Sequence, residues 1–94
     1  GRKRGKMPTI SMFYGIIIRM YREIGGQHKV PHIHAEYQGE EVVVSLDGDV
    51  LEGSIPKKKQ SLVIAWVNIH YDELLANWDL LEKGEKTFTI EPLK

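Results

Sequence analysis

The sequence lacks cysteine, and it contains no long apolar segment. Without a thiol the chain forms no disulfide, offers no thiolate to a metal and has no cysteine nucleophile. Its most apolar stretch, FYGIII at residues 13–18, is far shorter than the roughly 20 residues that a membrane-spanning helix needs. No small-residue cleavage site follows that stretch, so it does not fit a signal peptide. These absences lead us to expect a soluble protein of the cytoplasm, with no membrane among its partners.

The chain also lacks a net charge, but its charges are unevenly distributed. Thirteen Lys and Arg residues balance thirteen Asp and Glu residues over 94 positions. Four of the basic residues lie in the first six, GRKRGK, so the remainder of the chain is acidic. We interpret residues 1–6 as a disordered extension or a remnant of cloning, with a basic arm for nucleic acid or for an acidic partner as the alternative. A chain of this length holds one core, so residues 7–94 are predicted to form a single domain.

Four segments in the first part of the chain are predicted to be β-strands, because they alternate in polarity or are rich in β-branched residues. The first, Thr9–Glu23, is long and apolar on both faces, and Gly15 is predicted to mark a bulge or a close backbone approach within it. His32–Gln38, Glu41–Leu46 and Val50–Gly53 follow it, separated by glycine-containing turns. Such short connections predict an antiparallel meander.

The last part of the chain changes period. Apolar residues recur at spacings of three and four after Pro56, which suits the first turn of a helix. The helical region is predicted to end at Lys83 and Gly84, either as one bent helix or as two helices with Asp72 capping the second. Residues 86–93, KTFTIEPL, are predicted to close the chain as an edge strand. The expected fold class is α+β: an antiparallel sheet of about four strands, in the order β-β-β-β-α-α-β, with the helical region packed on one face.

Pro31–Gln38 places His32, His34 and Glu36 at a spacing of two, on one face of a predicted strand. Residues two apart in a strand point the same way, about 7 Å apart. We expect this extended backbone to aim both imidazole rings together, away from the packed interior. Two imidazoles and a carboxylate can share a transition-metal ion such as zinc. The histidines available to such a metal site are His28, His32, His34 and His70.

The same strand face also fits acid–base chemistry, or no chemistry at all. Histidine titrates near neutrality, so one ring can accept a proton while another donates one, and RNA can be cleaved in this way through its own 2′-hydroxyl. The catalytic candidates would be His32, His34 and Glu36. The phosphate-binding candidates would be Arg19, Arg22 and Lys29. The acidic body disfavours non-specific RNA binding. The third interpretation, which needs no cofactor, is a solvated face or a docking surface for a protein partner.

Four blocks of the sequence, in order, resemble one small bacterial family. They are MPTISMFYGIIIRMY, VPHIHAEYQGEE, DGDVLEGSIP and WVNIHYDELLANWDLLEKGE, and the likeness runs from Met7 to about Leu93. The chain resembles domain-of-unknown-function family 4160, which has no established activity to transfer. Its members are often encoded beside a protein of domain-of-unknown-function type 2442, in pairs suggested to be toxin–antitoxin-like.

The resemblance therefore implies a component of a two-gene module that binds the small protein encoded by the neighbouring gene. If the chain is the toxic member, RNA would be a second partner, and the strand histidines would be the acid–base candidates. A domain of this size also has little stability in reserve, so a homodimer is a further expectation.

Overall fold

The computed structural model describes residues 8–23 and 29–94 of the chain. The strands are β1 Thr9–Phe13, β2 Ile16–Arg19, β3 His32–Tyr37, β4 Glu40–Ser45 and β5 Val50–Gly53. They form one sheet in which each strand pairs antiparallel with the next along the chain. Two helices follow, α1 Lys57–Ile69 and α2 Tyr71–Glu82. The α+β class and the meander are confirmed, with five strands in the sheet where about four were expected.

The additional strand arises because the predicted single strand over Thr9–Glu23 is wrong: that segment contains a hairpin. Tyr14 and Gly15 both adopt positive φ, at 52° and 80°, and Phe13 pairs with Ile16 across them. Two consecutive residues with positive φ make the tight turn whose twist matches that of the flanking strands. This turn has little signal in the sequence, because Tyr-Gly is not one of the usual turn pairs and the flanking residues are apolar on both faces.

One face of the sheet and the two helices enclose the hydrophobic core. Cross-strand register places Ile33 opposite Val44, and Ala35 between Ile18 and Val42, so these side chains share a face. The helices add a set of buried residues that includes Val63, Trp66, Val67 and Leu74. Burying each such aliphatic side chain stabilises the fold by roughly 1.5–3 kcal/mol. This face therefore supplies most of the hydrophobic stabilisation.

The helical region is divided at His70, which confirms the two-helix alternative. His70 has φ −105° and ψ 28°, and its backbone N–H still donates to the Trp66 carbonyl, which closes α1. The cap of α2 is His70 and not Asp72, which lies inside the first turn, so that detail was wrong. There the Asp72 carboxylate favours the helix through the macrodipole. The predicted stop at Lys83 and Gly84 is confirmed, since α2 ends at Glu82 and Gly84 has a φ of 74°.

The predicted final strand is absent, because residues 85–94 form neither strand nor helix. The buried Asn77 side chain occupies the backbone groups of Phe88 that a neighbouring strand would use: its amide donates to the carbonyl and accepts from the N–H, both at 2.9 Å. A single backbone bond, from Ile90 N–H to the Ile10 carbonyl at 2.7 Å, ties this segment to β1. Within the described residues no helix is long and apolar enough to cross a membrane.

Candidate metal centre

The strand β3 presents His32 and His34 on the sheet face opposite the apolar residues Ile33 and Ala35. In the sheet register His34 lies between Arg19 of β2 and Val43 of β4. The chain leaves β2 and passes along the two histidines, so that the Tyr21 ring stacks on the His34 ring at 4.5 Å, nearly parallel to it. The antiparallel pairing of β2 with β3 thus delivers the residues after β2 to the imidazole pair.

A single carboxylate oxygen, Oε2 of Glu23, lies between the two imidazole rings. It is 3.1 Å from Nε2 of His32 and 2.5 Å from Nε2 of His34. One potential ligand atom from each of Glu23, His32 and His34 lies within 4.8 Å of the other two. The two ring nitrogens and the carboxylate therefore converge on one small volume.

The other nitrogen of each ring is held by a separate acceptor. Nδ1 of His32 lies 2.7 Å from the carbonyl oxygen of Val30, and Nδ1 of His34 lies 2.9 Å from Oε2 of Glu41. The Tyr21 hydroxyl is a further neighbour of His34 Nδ1, at 3.3 Å. With a carbonyl or carboxylate beside each Nδ1, that nitrogen carries a hydrogen, and Nε2 is the nitrogen that contacts Glu23 and could bind a metal ion in place of its hydrogen.

Both rings are buried, which corrects the expectation that they point away from the packed interior. His32 is 1% exposed and His34 is 6% exposed, and the His32 ring lies 5.2 Å from the Trp78 ring of α2. The extended backbone and the shared direction of the rings were predicted correctly, since β3 spans His32–Tyr37 and the ring centroids are 5.3 Å apart. The side chains of Tyr21 and Glu23 fold over the two imidazole rings and cover them.

The surroundings change the ionisation of two groups at the site. Burial alone would raise the pKa of Glu23, but the hydrogen bonds from His32 and His34 outweigh it, and the pKa lies below its ordinary value of 4.5. Burial, followed by the negative charges of Glu41 and Glu23, raises the pKa of the Tyr21 hydroxyl. Glu23 therefore stays ionised and Tyr21 stays neutral in the folded chain around neutral pH.

Comparison with known proteins assigns the chain to a family. The family model described as "Domain of unknown function (DUF4160)" matches residues 15–79, more than half of the sequence. The chain belongs to the DUF4160 family. No curated protein and no solved structure matches it. The matched region of this DUF4160 chain contains all three converging residues, the whole of α1 and α2 as far as residue 79. The strand β1 and the C-terminal segment lie outside it.

The other candidates of the predicted site lie apart from the convergence point of this DUF4160 chain. Glu36 pairs with Arg19, whose Nε lies 3.2 Å from its carboxylate. His70 forms a hydrogen bond with Glu73 at the junction of the helices and packs against Trp66, and it is not a member of the converging group. His28 lies outside the described residues, so its role as a ligand stays a prediction.

The predicted phosphate-binding set does not form a free cationic cluster in the described part of the DUF4160 chain. Arg19 already interacts with Glu36 and with the Thr9 hydroxyl, at 3.2 Å and 3.3 Å. Arg22 and Lys29 are exposed. No hydrogen bond among the described residues links either of them to the histidines, and phosphate binding stays a prediction.

Two carboxylates that contact the rings, those of Glu23 and Glu41, were not among the predicted site residues. A signal for each was present. Continuing the alternation of Arg19 and Tyr21 reaches Glu23, and a tight turn at Gly39 places Glu41 diagonally across from His34. Both inferences need a strand register that a single sequence does not supply, since a slip of one residue would turn either carboxylate to the other face.

Proposed function

We propose that this DUF4160 chain binds one transition-metal ion of the zinc type through Nε2 of His32, Nε2 of His34 and the carboxylate of Glu23. The observation that carries the proposal is the convergence of both Nε2 atoms on Oε2 of Glu23, at 3.1 Å and 2.5 Å. Two imidazoles and one carboxylate are a ligand set found in zinc and in other first-row metal sites.

The assignment of the ring hydrogens supports a cation at this point. Nδ1 of His32 faces a carbonyl and Nδ1 of His34 faces a carboxylate, so each Nδ1 carries a hydrogen. The Glu23 carboxylate facing both Nε2 atoms favours positive charge at this point, which a hydrogen on Nε2 supplies in the metal-free chain and which a bound metal ion would supply in its place. A metal ion bound to Nε2, with Nδ1–H donating to a carbonyl or carboxylate, is the usual arrangement around metal-bound histidine.

The ligand atoms also define which ions fit. Imidazole nitrogen favours zinc, copper, nickel and iron, whereas magnesium and calcium prefer a shell made of oxygen atoms alone. Three protein ligands leave one position of a tetrahedral ion for water or another group. The proposal concerns binding, and it assigns no reaction.

The burial of the histidines weighs against RNA cleavage by the same pair. A general acid and a general base must come within hydrogen-bond reach of the substrate, and His32 is almost completely covered by protein. The two-gene module inferred from the family resemblance remains a separate proposal. It is tested by expressing the chain with and without the neighbouring gene: a complex on co-purification supports it, and equal growth with no complex contradicts it.

The metal proposal is tested on the full chain, purified without a histidine tag and stripped with a chelator. Isothermal titration with Zn²⁺ should give one equivalent bound, and the midpoint of thermal unfolding should rise with zinc concentration, because the ion binds the folded state. His34→Ala should weaken zinc binding by about a hundredfold, since it removes a ligand and its link to Glu41.

His70→Ala is the matched control, because it removes a histidine that contacts a glutamate outside the converging group. It should bind zinc as the unsubstituted chain does. Circular dichroism of each variant without metal establishes that it is folded. Failure of the unsubstituted chain to bind zinc, copper, nickel or iron would refute the proposal, as would equal losses in His34→Ala and His70→Ala.

A further inference from the structure

The backbone of the C-terminal segment, residues 85–94, is held by side chains of both helices. Asn77 of α2 forms two hydrogen bonds with the backbone of Phe88. The indole N–H of Trp66 in α1 donates to the carbonyl of Glu91 at 2.9 Å. Hydrogen bonds to main-chain groups hold an extended chain whatever its side chains are, and proteins that bind extended peptides derive affinity from them. The helices therefore hold this segment as such proteins hold a peptide.

One side chain anchors the segment in the hydrophobic core. Ile90 is 3% exposed, and it is the only buried residue among residues 85–94, all of which the structure describes. Its N–H donates to the Ile10 carbonyl of β1 at 2.7 Å. Phe88, by contrast, is 41% exposed although its backbone is held. Backbone contacts with a single apolar anchor are the features by which an extended ligand is recognised.

Helix α2 ends independently of the place where the segment lies. The N–H of Gly84 donates to the Leu81 carbonyl at 3.0 Å, and the N–H of Glu85 donates to the Leu80 carbonyl at 2.8 Å. With Gly84 at a φ of 74°, these bonds satisfy the last carbonyls of the helix. The chain after Glu85 can therefore leave its position while α2 keeps its C-terminal cap.

The segment fits the space beside β1 incompletely. It makes one backbone hydrogen bond with β1, at Ile10, and an open groove of about 350 Å³ remains between residues 9–12 and residues 89–92. Ser11 lines this groove, but its hydroxyl is buried and has no hydrogen-bond partner within residues 8–23 and 29–94. A buried hydroxyl without a partner is unfavourable. A ligand that follows β1 further and supplies that partner would fit better than the chain's own segment.

We propose that the groove formed by β1, Trp66 and Asn77 is a docking site for an extended segment of a partner protein, with an aliphatic side chain at the position of Ile90. The C-terminal segment occupies this groove as a tethered competitor. The observed occupant defines the chemistry of the partner, because Trp66 and Asn77 contact main-chain groups and the Ile90 position is apolar. A short tether gives an effective concentration on the order of millimolar. The partner must exceed this, and pairing beyond Ile10 with a hydrogen bond to Ser11 supplies the advantage.

The full unsubstituted chain tests whether the segment leaves the groove. Amide hydrogen exchange, followed by nuclear magnetic resonance, compares the N–H groups of Phe88 and Ile90 with the slowest amides of β3, the central strand of the sheet. The first two should exchange at least about a hundredfold faster, because the segment opens while the sheet stays folded. Equal rates would show that the segment is an integral part of the core, and would overturn the proposal.

Peptide binding tests whether the released groove accepts a ligand. The probe is a fluorescent peptide with the sequence of residues 85–94, EKTFTIEPLK. Fluorescence anisotropy should show that the full-length Ile90→Glu variant binds it at least about tenfold more tightly than the unsubstituted chain, because a charge at the buried position removes the tethered competitor. Circular dichroism establishes that the variant is folded. Ile90→Ala, which keeps the position apolar, should change the affinity in the same direction if Ile90→Glu does not fold.

Two substituted peptides separate specific docking from general apolar contact. The peptide with Ile90→Glu should bind at least about tenfold more weakly than the original peptide, because it loses the apolar anchor. The peptide with Phe88→Glu should bind within about twofold of the original, since the Phe88 side chain is largely exposed and its backbone makes the contact. Equal losses in the two peptides, or no binding to a folded Ile90 variant, would refute the proposal.

The segment of a second copy is the other possible occupant, and sedimentation equilibrium of the unsubstituted chain distinguishes it. A monomer supports the proposal, because the segment then lies in its own groove. A dimer that Ile90→Glu abolishes would assign the groove to the segment of a second copy and overturn a partner protein as its occupant. None of these measurements depends on zinc, so the peptide groove and the metal site fail or succeed separately.

Discussion

The two faces of β3 are both buried from His32 to Ala35, yet they are filled by opposite kinds of side chain. Ile33 is fully buried on one face, against the helices and the apolar residues of β4. On the other face His32 and His34 are nearly as buried, but each of their ring nitrogens has a polar neighbour. The apolar face needs only shape and volume, whereas the polar face needs a partner for every buried nitrogen.

The two faces contribute to different properties of the chain. Apolar burial stabilises the fold directly. A buried polar network contributes little net stability, because desolvation of its groups offsets the hydrogen bonds they form. A cluster such as Glu23, His32 and His34 is therefore expected to matter more for ligand binding than for folding. Substitutions on each face separate these two effects.

The largest expected effect is on the apolar face. Ile33→Ala should lower the free energy of unfolding by about 2–5 kcal/mol, because it leaves a cavity where the native side chain is fully buried. Urea denaturation of the metal-free chain measures the change. Zinc binding to the folded variant should be unaltered, since Ile33 points away from the histidines. A loss of zinc affinity comparable to the loss in His34→Ala would contradict this separation of the faces.

A smaller effect, with a characteristic pH dependence, is expected for Glu23→Gln in the presence of a chelator. The pKa of Glu23 in the folded state is lower than the ordinary value of 4.5, so its ionised form stabilises the fold. The free energy of unfolding of the unsubstituted chain should exceed that of the variant by about 2 kcal/mol at neutral pH. This is the usual contribution of hydrogen bonds to a charged group.

That advantage should be fully present above pH 4.5 and should disappear as the pH falls through the folded-state pKa. Urea denaturation of both chains at a series of pH values measures it. An advantage that grew as the solution became more acidic would show that Glu23 is not held ionised by the histidines.

The sequence predicted the fold well where one local signal decided the structure. The Asp47–Asp49 turn, the change from period two to helical spacing, and the stop at Gly84 each depend on neighbouring residues, and each is confirmed. The turn at Tyr14 and the absence of the final strand were missed. The final strand depends on Asn77, a residue distant in sequence, whose side chain occupies the backbone of Phe88.

The site was predicted only in part, because only some of its features depend on neighbouring residues in the sequence. Strand spacing of two is a local property, so the adjacency of His32 and His34 followed from the sequence. Their burial and their contact with Glu23 depend on how the chain leaves β2 and on the packing of Trp78 in α2, and no periodicity encodes either. Glu36 has the same spacing but pairs with Arg19 instead, so spacing identifies candidates and tertiary packing selects among them.

A further contrast, within the polar face, concerns Glu41 and its contact with His34. Glu41→Gln should weaken zinc binding by about tenfold, because the carboxylate accepts the Nδ1 hydrogen and orients the ring for binding through Nε2. Glu36→Gln is the matched control: it changes a glutamate of the same face that contacts Arg19. Competition with a chromogenic chelator measures both affinities. Equal affinities in the two variants would mean that Glu41 does not orient His34.

The smallest expected effect is the stability change in Glu36→Gln itself. The Arg19–Glu36 ion pair is half-exposed, with 3.2 Å between Arg19 Nε and the carboxylate, and such pairs contribute about 1 kcal/mol or less. Salt should reduce the difference between the variant and the unsubstituted chain, because exposed charges are screened. Urea denaturation at low and high ionic strength measures it. A larger, salt-independent loss would mean that Glu36 acts as a buried polar group like the histidines, and that this face is sealed over its whole width.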